Sequence, residues 1–96
     1  MPKYLVVNVT DADIDAANAA HTVGHVAYTC PIAQSILRQG YKRVSVCGFG
    51  RCTVDGETFK LSPRAEEFVR RYDRLQLAEP MNFRFRREDD THKANR

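Results

Sequence analysis

No run of apolar side chains in this sequence approaches the roughly 20 residues a helix needs to cross a bilayer core, and its first residues lack a charged start followed by a long apolar stretch. A spanning helix and a secretory leader are therefore not expected, and the reading is a soluble, cytoplasmic protein. Cysteine is scarce and odd in number. Cys30, Cys47 and Cys52 cannot all pair within one chain, which speaks against a disulfide framework and for a reducing compartment. There is no internal repeat and no low-complexity segment. Gly48-Phe49-Gly50 lacks both the lysine and the full glycine spacing of a phosphate-binding loop, and reads as a hairpin turn. No local cysteine-protease signature surrounds Cys30.

Ninety-six residues with 43% hydrophobic content suffice for one core and are too few for two. Residues 1–87 are expected to form a single domain, with 88–96 a charged, disordered tail. The formal charge of +3 conceals an asymmetry: residues 1–35 carry one Lys against three Asp, whereas 36–96 carry fourteen Lys or Arg against nine acids. Eleven of the fifteen basic residues are arginine, whose planar fork suits phosphate and carboxylate better than a lysine point charge. An anionic partner follows as an expectation.

Tyr4 to Val9 is rich in Val and Leu and predicts a buried strand. Thr10 with Asp13 three residues later resembles a capping box, opening a helix from Asp11 to about Ala20 whose early acids complement its dipole. From His21 to Thr29 no period holds and a loop is expected. Pro31 suits a first helical position, Ile32, Ala33, Ile36 and Leu37 form an apolar stripe, and Gly40 sits where a left-handed cap belongs. Tyr41 to Cys47 alternates, Cys52 to Val54 resumes extended chain, and Asp55-Gly56 predicts a tight turn into a strand over Glu57 to Leu61. Ser62-Pro63 opens a helix with Ala65, Phe68, Val69, Tyr72 and Leu75 on one face. After Pro80, Met81, Phe83 and Phe85 alternate with Asn82, Arg84 and Arg86, which predicts a last strand with one apolar and one basic face. The order predicts an α+β domain: a mainly antiparallel sheet of four to five strands, with about three helices packed chiefly on one side.

Three constellations could carry chemistry. Cys30 stands at a helix start, where unpaired amides and the macrodipole can lower a thiol's pKa, and His21 and His25 lie upstream as candidate bases. The same position suits an inert cap. The two histidines and three cysteines are zinc-ligand types, but Cys47 and Cys52 are separated by four residues rather than by the usual two-residue knuckle, so no metal site is assigned. The basic surface is the stronger candidate for binding: Arg70, Arg71 and Arg74 on the third helix and Arg84 and Arg86 on the last strand could engage phosphates or an acidic protein surface. Phe83 and Phe85 read as core, and sequence-specific nucleic-acid recognition is not expected. No cofactor is expected.

Thr10 to Ile14, the Cys30-Pro31-Ile32-Ala33 helix start, Asp55-Gly56 with Leu61 before Ser62-Pro63, Phe68 to Asp73, and Pro80 with Phe83 and Phe85 together resemble a loose family of small phage and prophage accessory proteins. The resemblance covers roughly residues 5–85 and brings no catalytic residues. It implies a protein that acts by binding, inside the host cell, among relatives that include inhibitors of host defence such as CRISPR effectors and proteins that sequester nucleotide signals. The expected partner is a host protein, a nucleoprotein complex or a small anionic ligand. A cysteine enzyme using Cys30 with His21 or His25, and a homodimer or other small assembly joined through a sheet edge, are the alternatives.

Overall fold

A computed structural model describes residues 3–20, 29–47, 50–75 and 78–88, with the backbone alone for Cys47 and Leu75. His21, His25, Tyr28, Phe49 and the charged tail beyond Glu88 lie outside the described residues. The elements run β1 (Tyr4–Val9), α1 (Asp11–Ala20), α2 (Pro31–Arg38), β2 (Val44–Cys47), β3 (Arg51–Val54), β4 (Glu57–Lys60), α3 (Pro63–Leu75) and β5 (Met81–Arg87). All strand pairs are antiparallel in one five-stranded sheet of order β1-β5-β4-β3-β2. The α+β architecture expected from the sequence is thus present. No helix among the described residues is long and apolar enough to cross a membrane.

Local chemistry explains the element boundaries. At the start of α1 the Thr10 backbone N–H donates to Asp13 Oδ2 (2.9 Å) and the Asp13 N–H to Thr10 Oγ1 (3.3 Å), a reciprocal cap. Helix α2 begins with Pro31 after Cys30, and Gly40, at φ 108°, ends it in the left-handed region, its N–H donating to Leu37 O at 2.9 Å. Ser62 Oγ accepts from the Ala65 N–H at 3.3 Å to open α3. Asp55 (φ 47°) and Gly56 (φ 88°) turn β3 into β4, two successive left-handed residues that favour Asp-Gly. The Asp55 carboxylate also accepts from the Lys42 and Arg43 N–H groups at 3.0 and 2.7 Å, fastening the approach to β2.

One core lies between the sheet and the helices. Leu5, Val7 and Val9 of β1, Val54 and Phe59 of the hairpin, and Phe83 and Phe85 of β5 meet Ile14, Ile32, Ile36, Phe68, Val69 and Tyr72 from the helices. Phe68 sets its ring edge against Phe83 at 5.6 Å between centroids, an arrangement the ring quadrupoles favour. The fully buried Tyr72 donates its hydroxyl to Asn18 Oδ1 at 3.0 Å and so ties α3 to α1. Burying a side chain of Phe85's size contributes about 1.5–3 kcal/mol, so this layer dominates stability.

Strand β1 departs from the expectation of a buried strand. It alternates, with Leu5, Val7 and Val9 inside and Tyr4, Val6 and Asn8 outside. It is an edge strand with one covered face, and the apolar character of Tyr4 and Val6 concealed the alternation.

Helix α2 packs against both edge strands, β1 and β2, and the sheet curls about it. Its polar side chains also reach the β1 backbone. Ser35 Oγ and Arg38 Nη2 donate to Asn8 O (3.2 and 2.9 Å), and Gln39, just past the helix end, donates from Nε2 to Val6 O (2.8 Å). Those carbonyls point away from β5, since the Lys3 carbonyl, of the opposite parity, accepts from the Arg87 N–H. Arg38 also grips Asp13 with Nε to Oδ1 at 2.9 Å and Nη2 to Oδ2 at 3.0 Å.

Candidate functional site

The candidate nucleophile is a core residue. Cys30 is 1% exposed at the position preceding α2. Burial pushes its thiol up to about 11, outweighing the Ala33 and Ile32 amides that favour the thiolate. The expectation that a helix start could lower this pKa is therefore corrected: desolvation exceeds the helix-terminal contribution. Cys52 is likewise buried, its thiol pushed up to about 12 by burial and by its neighbour Cys30. Among the described residues no group of three or more His, Cys, Asp or Glu side chains could hold a metal ion. Because His21 and His25 lie outside the described residues, their geometry toward Cys30 is not defined.

The sheet separates the five candidate arginines into two groups. Arg70, Arg71 and Arg74 are exposed on α3, in the helical layer. Arg84 and Arg86 alternate on β5 with Phe83 and Phe85, whose rings face that layer, so the strand arginines project from the opposite side of the sheet. The single surface expected from the sequence is two surfaces.

These surfaces differ in electrostatics. On α3, Arg70 pairs with Glu66 at 3.5 Å and Glu67 at 3.3 Å, a solvated mixed face of the kind helices often carry. Arg71 and Arg64 border a groove of about 660 Å³ floored by Phe68, Ala78 and Met81, with Glu67 offsetting their charge. The Arg64 guanidinium also lies 5.6 Å from the centroid of Phe83.

On the other face no element among the described residues covers the sheet. Register places Tyr4 opposite Arg86, Arg86 opposite Lys60, and Lys60 opposite Arg51, a row crossing β1, β5, β4 and β3. Val6 stands opposite Arg84 in the neighbouring row. Arg51 is held by Glu88 at 3.2 Å. Lys60, Arg84 and Arg86 form no ion pair among the described residues. Arg84 instead sets its guanidinium 4.8 Å from the Tyr4 ring centroid, within cation–π range. Among the described residues Tyr4 and Val6, 42% and 52% exposed, are the large apolar side chains left open.

Sequence reasoning placed Arg84 and Arg86 correctly on the basic side of their strand. It missed Lys60, Arg51, Tyr4 and Val6. The signal for Lys60 was local, because the Asp55-Gly56 turn and an inward Phe59 send Lys60 outward. Its placement beside Arg86 depends on β5 pairing with β4, which no short-range pattern encodes.

No known protein family matches this chain, and neither a curated protein nor a solved structure is significantly similar to it.

Proposed function

We propose that this chain is a non-enzymatic binding protein that occupies an anionic partner with the uncovered face of its sheet. In the phage-accessory setting suggested by its sequence, this occupation would inhibit a host-defence complex in the host cytoplasm. The observation that carries the reading is the cluster of Lys60, Arg84 and Arg86, three cations on one face with no acid paired to them among the described residues. Like charges directly opposite on neighbouring strands cost a few tenths of a kcal/mol or more, so Arg86 facing Lys60 works against the fold. A local rule broken without a compensating contact is characteristic of a functional surface. A buried Cys30 with a raised pKa gives no support to thiol chemistry.

Retention on heparin resin tests the site. Reversing Lys60, Arg84 and Arg86 to Glu is expected to abolish retention at low salt, whereas reversing Arg70, Arg71 and Arg74 reduces it little. Equal loss from both sets would mean that net charge acts without a site; loss from the helix set alone would move the surface to α3.

A further inference from the structure

Resting on that anion-binding reading, we infer that the partner chemistry is single-stranded nucleic acid, with a base stacked at Tyr4 and Arg84 and the adjoining phosphates met by Arg86 and Lys60. The cations alone would suit any polyanion. What narrows the class is the exposed aromatic among them. Tyr4 stands at the β1 end of the cation row, 42% exposed, with the Arg84 guanidinium 4.8 Å from its ring centroid and Val6 exposed beside it.

Neighbouring strands lie about 4.8 Å apart, so Arg86 is one strand spacing from Tyr4 and Lys60 two, about 5 and 10 Å. An unpaired nucleotide presents a flat base and an adjacent phosphate on that scale. Bases stack on aromatic rings and on guanidinium planes, and a charged groove follows the backbone. A duplex keeps its base faces inside the stack and could use only the cations. The tyrosine would then contribute little. Stacking tolerates every base, so the contact proposed here does not depend on sequence.

Fluorescence anisotropy with labelled oligothymidylate, a duplex of equal length and polyglutamate tests the inference on the full chain. Oligothymidylate should bind at least tenfold more tightly than the duplex or polyglutamate. Tyr4→Thr, which keeps a strand-forming residue, should weaken oligothymidylate about tenfold without changing the salt dependence, and Tyr4→Phe should preserve binding. Lys60→Gln and Arg86→Gln should each reduce the slope of log affinity against log salt by about 0.7. If the duplex or polyglutamate binds as tightly as the single strand, or Tyr4→Thr binds normally, the inference is wrong and the anion-binding reading survives. If none of the three probes binds, both are wrong.

Discussion

Replacing Asp13 with alanine removes a carboxylate that joins three segments of the fold. Asp13 is 3% exposed, accepts from the Thr10 N–H and Oγ1 at 2.9 and 3.0 Å, and takes both prongs of the Arg38 fork. Losing the Asp13 half of the reciprocal cap, while the backbone N–H of residue 13 still donates to Thr10 Oγ1, costs about 0.5–1 kcal/mol. Losing the charge-assisted bonds to Arg38 costs about 1.5–3 kcal/mol, and the lower end applies because the Arg38 side chain is 49% exposed and regains water once freed. The sum is about 2–2.5 kcal/mol, which in a domain of this size lowers Tm by about 8–20 °C. Asp13→Asn keeps a capping oxygen and should lose about half as much.

The pH dependence of this loss has a definite sign. Burial alone would raise the Asp13 pKa, but the hydrogen bonds from Arg38 and Thr10 outweigh it and hold the group below its ordinary 3.8. A lowered native pKa gives stability that is present above the unfolded value and lost as pH falls through the native one. The gap between wild type and Asp13→Ala, followed by circular dichroism melts, should thus be full at pH 7 and shrink below about 3.8. A Tm within about 2 °C of wild type at pH 7, or a gap that widens in acid, would refute the assignment.

Lys60→Thr should stabilise the fold by a few tenths of a kcal/mol in urea unfolding, by relieving the opposition to Arg86, while weakening anion binding; a destabilised variant would show that the opposed charges are not a liability. In a Cys47→Ser protein, Cys30 and Cys52 should resist Ellman's reagent at pH 8 until guanidinium is added, since both are buried with raised pKa values, and rapid native reaction of either would contradict its burial. Asp55→Ala should cost about 1–2 kcal/mol in the same unfolding assay, through the lost bonds from the Lys42 and Arg43 amides and the strain of alanine at φ 47°. Tyr72→Phe, which removes the bond from a buried hydroxyl to the solvent-exposed Asn18, should cost about 0.5–1 kcal/mol, and no change would mean that the hydroxyl bond contributes nothing.

The parts of the fold legible in the sequence share a short range. Pro31 and Gly40 bracket α2, Ser62-Pro63 opens α3, Asp55-Gly56 makes its turn and β5 alternates, because each signal is written within a few residues of its effect. Strand order was not legible, since β5 enters between β1 and β4 through pairing distant in sequence. The Asp13–Arg38 pair spans 25 residues and was equally hidden. The candidate site illustrates both limits: five arginines were recognised by type, but only the sheet decides that two of them share a face with Lys60 and Tyr4 and three do not.

The side chains that α2 lays along β1 govern how copies of this chain could associate. With Ser35, Arg38 and Gln39 occupying the outer carbonyls of Asn8 and Val6, a strand arriving at that margin would have to displace three hydrogen-bonding groups. The opposite margin, β2, is only four residues long, and no side chain among the described residues bonds its outward backbone at Val44 and Val46. Strand addition is thereby restricted to one side. Two copies could join β2 to β2 and stop there, because the resulting pair would present a blocked margin at each end. An open fibre needs two accepting margins per copy, and the described residues leave one.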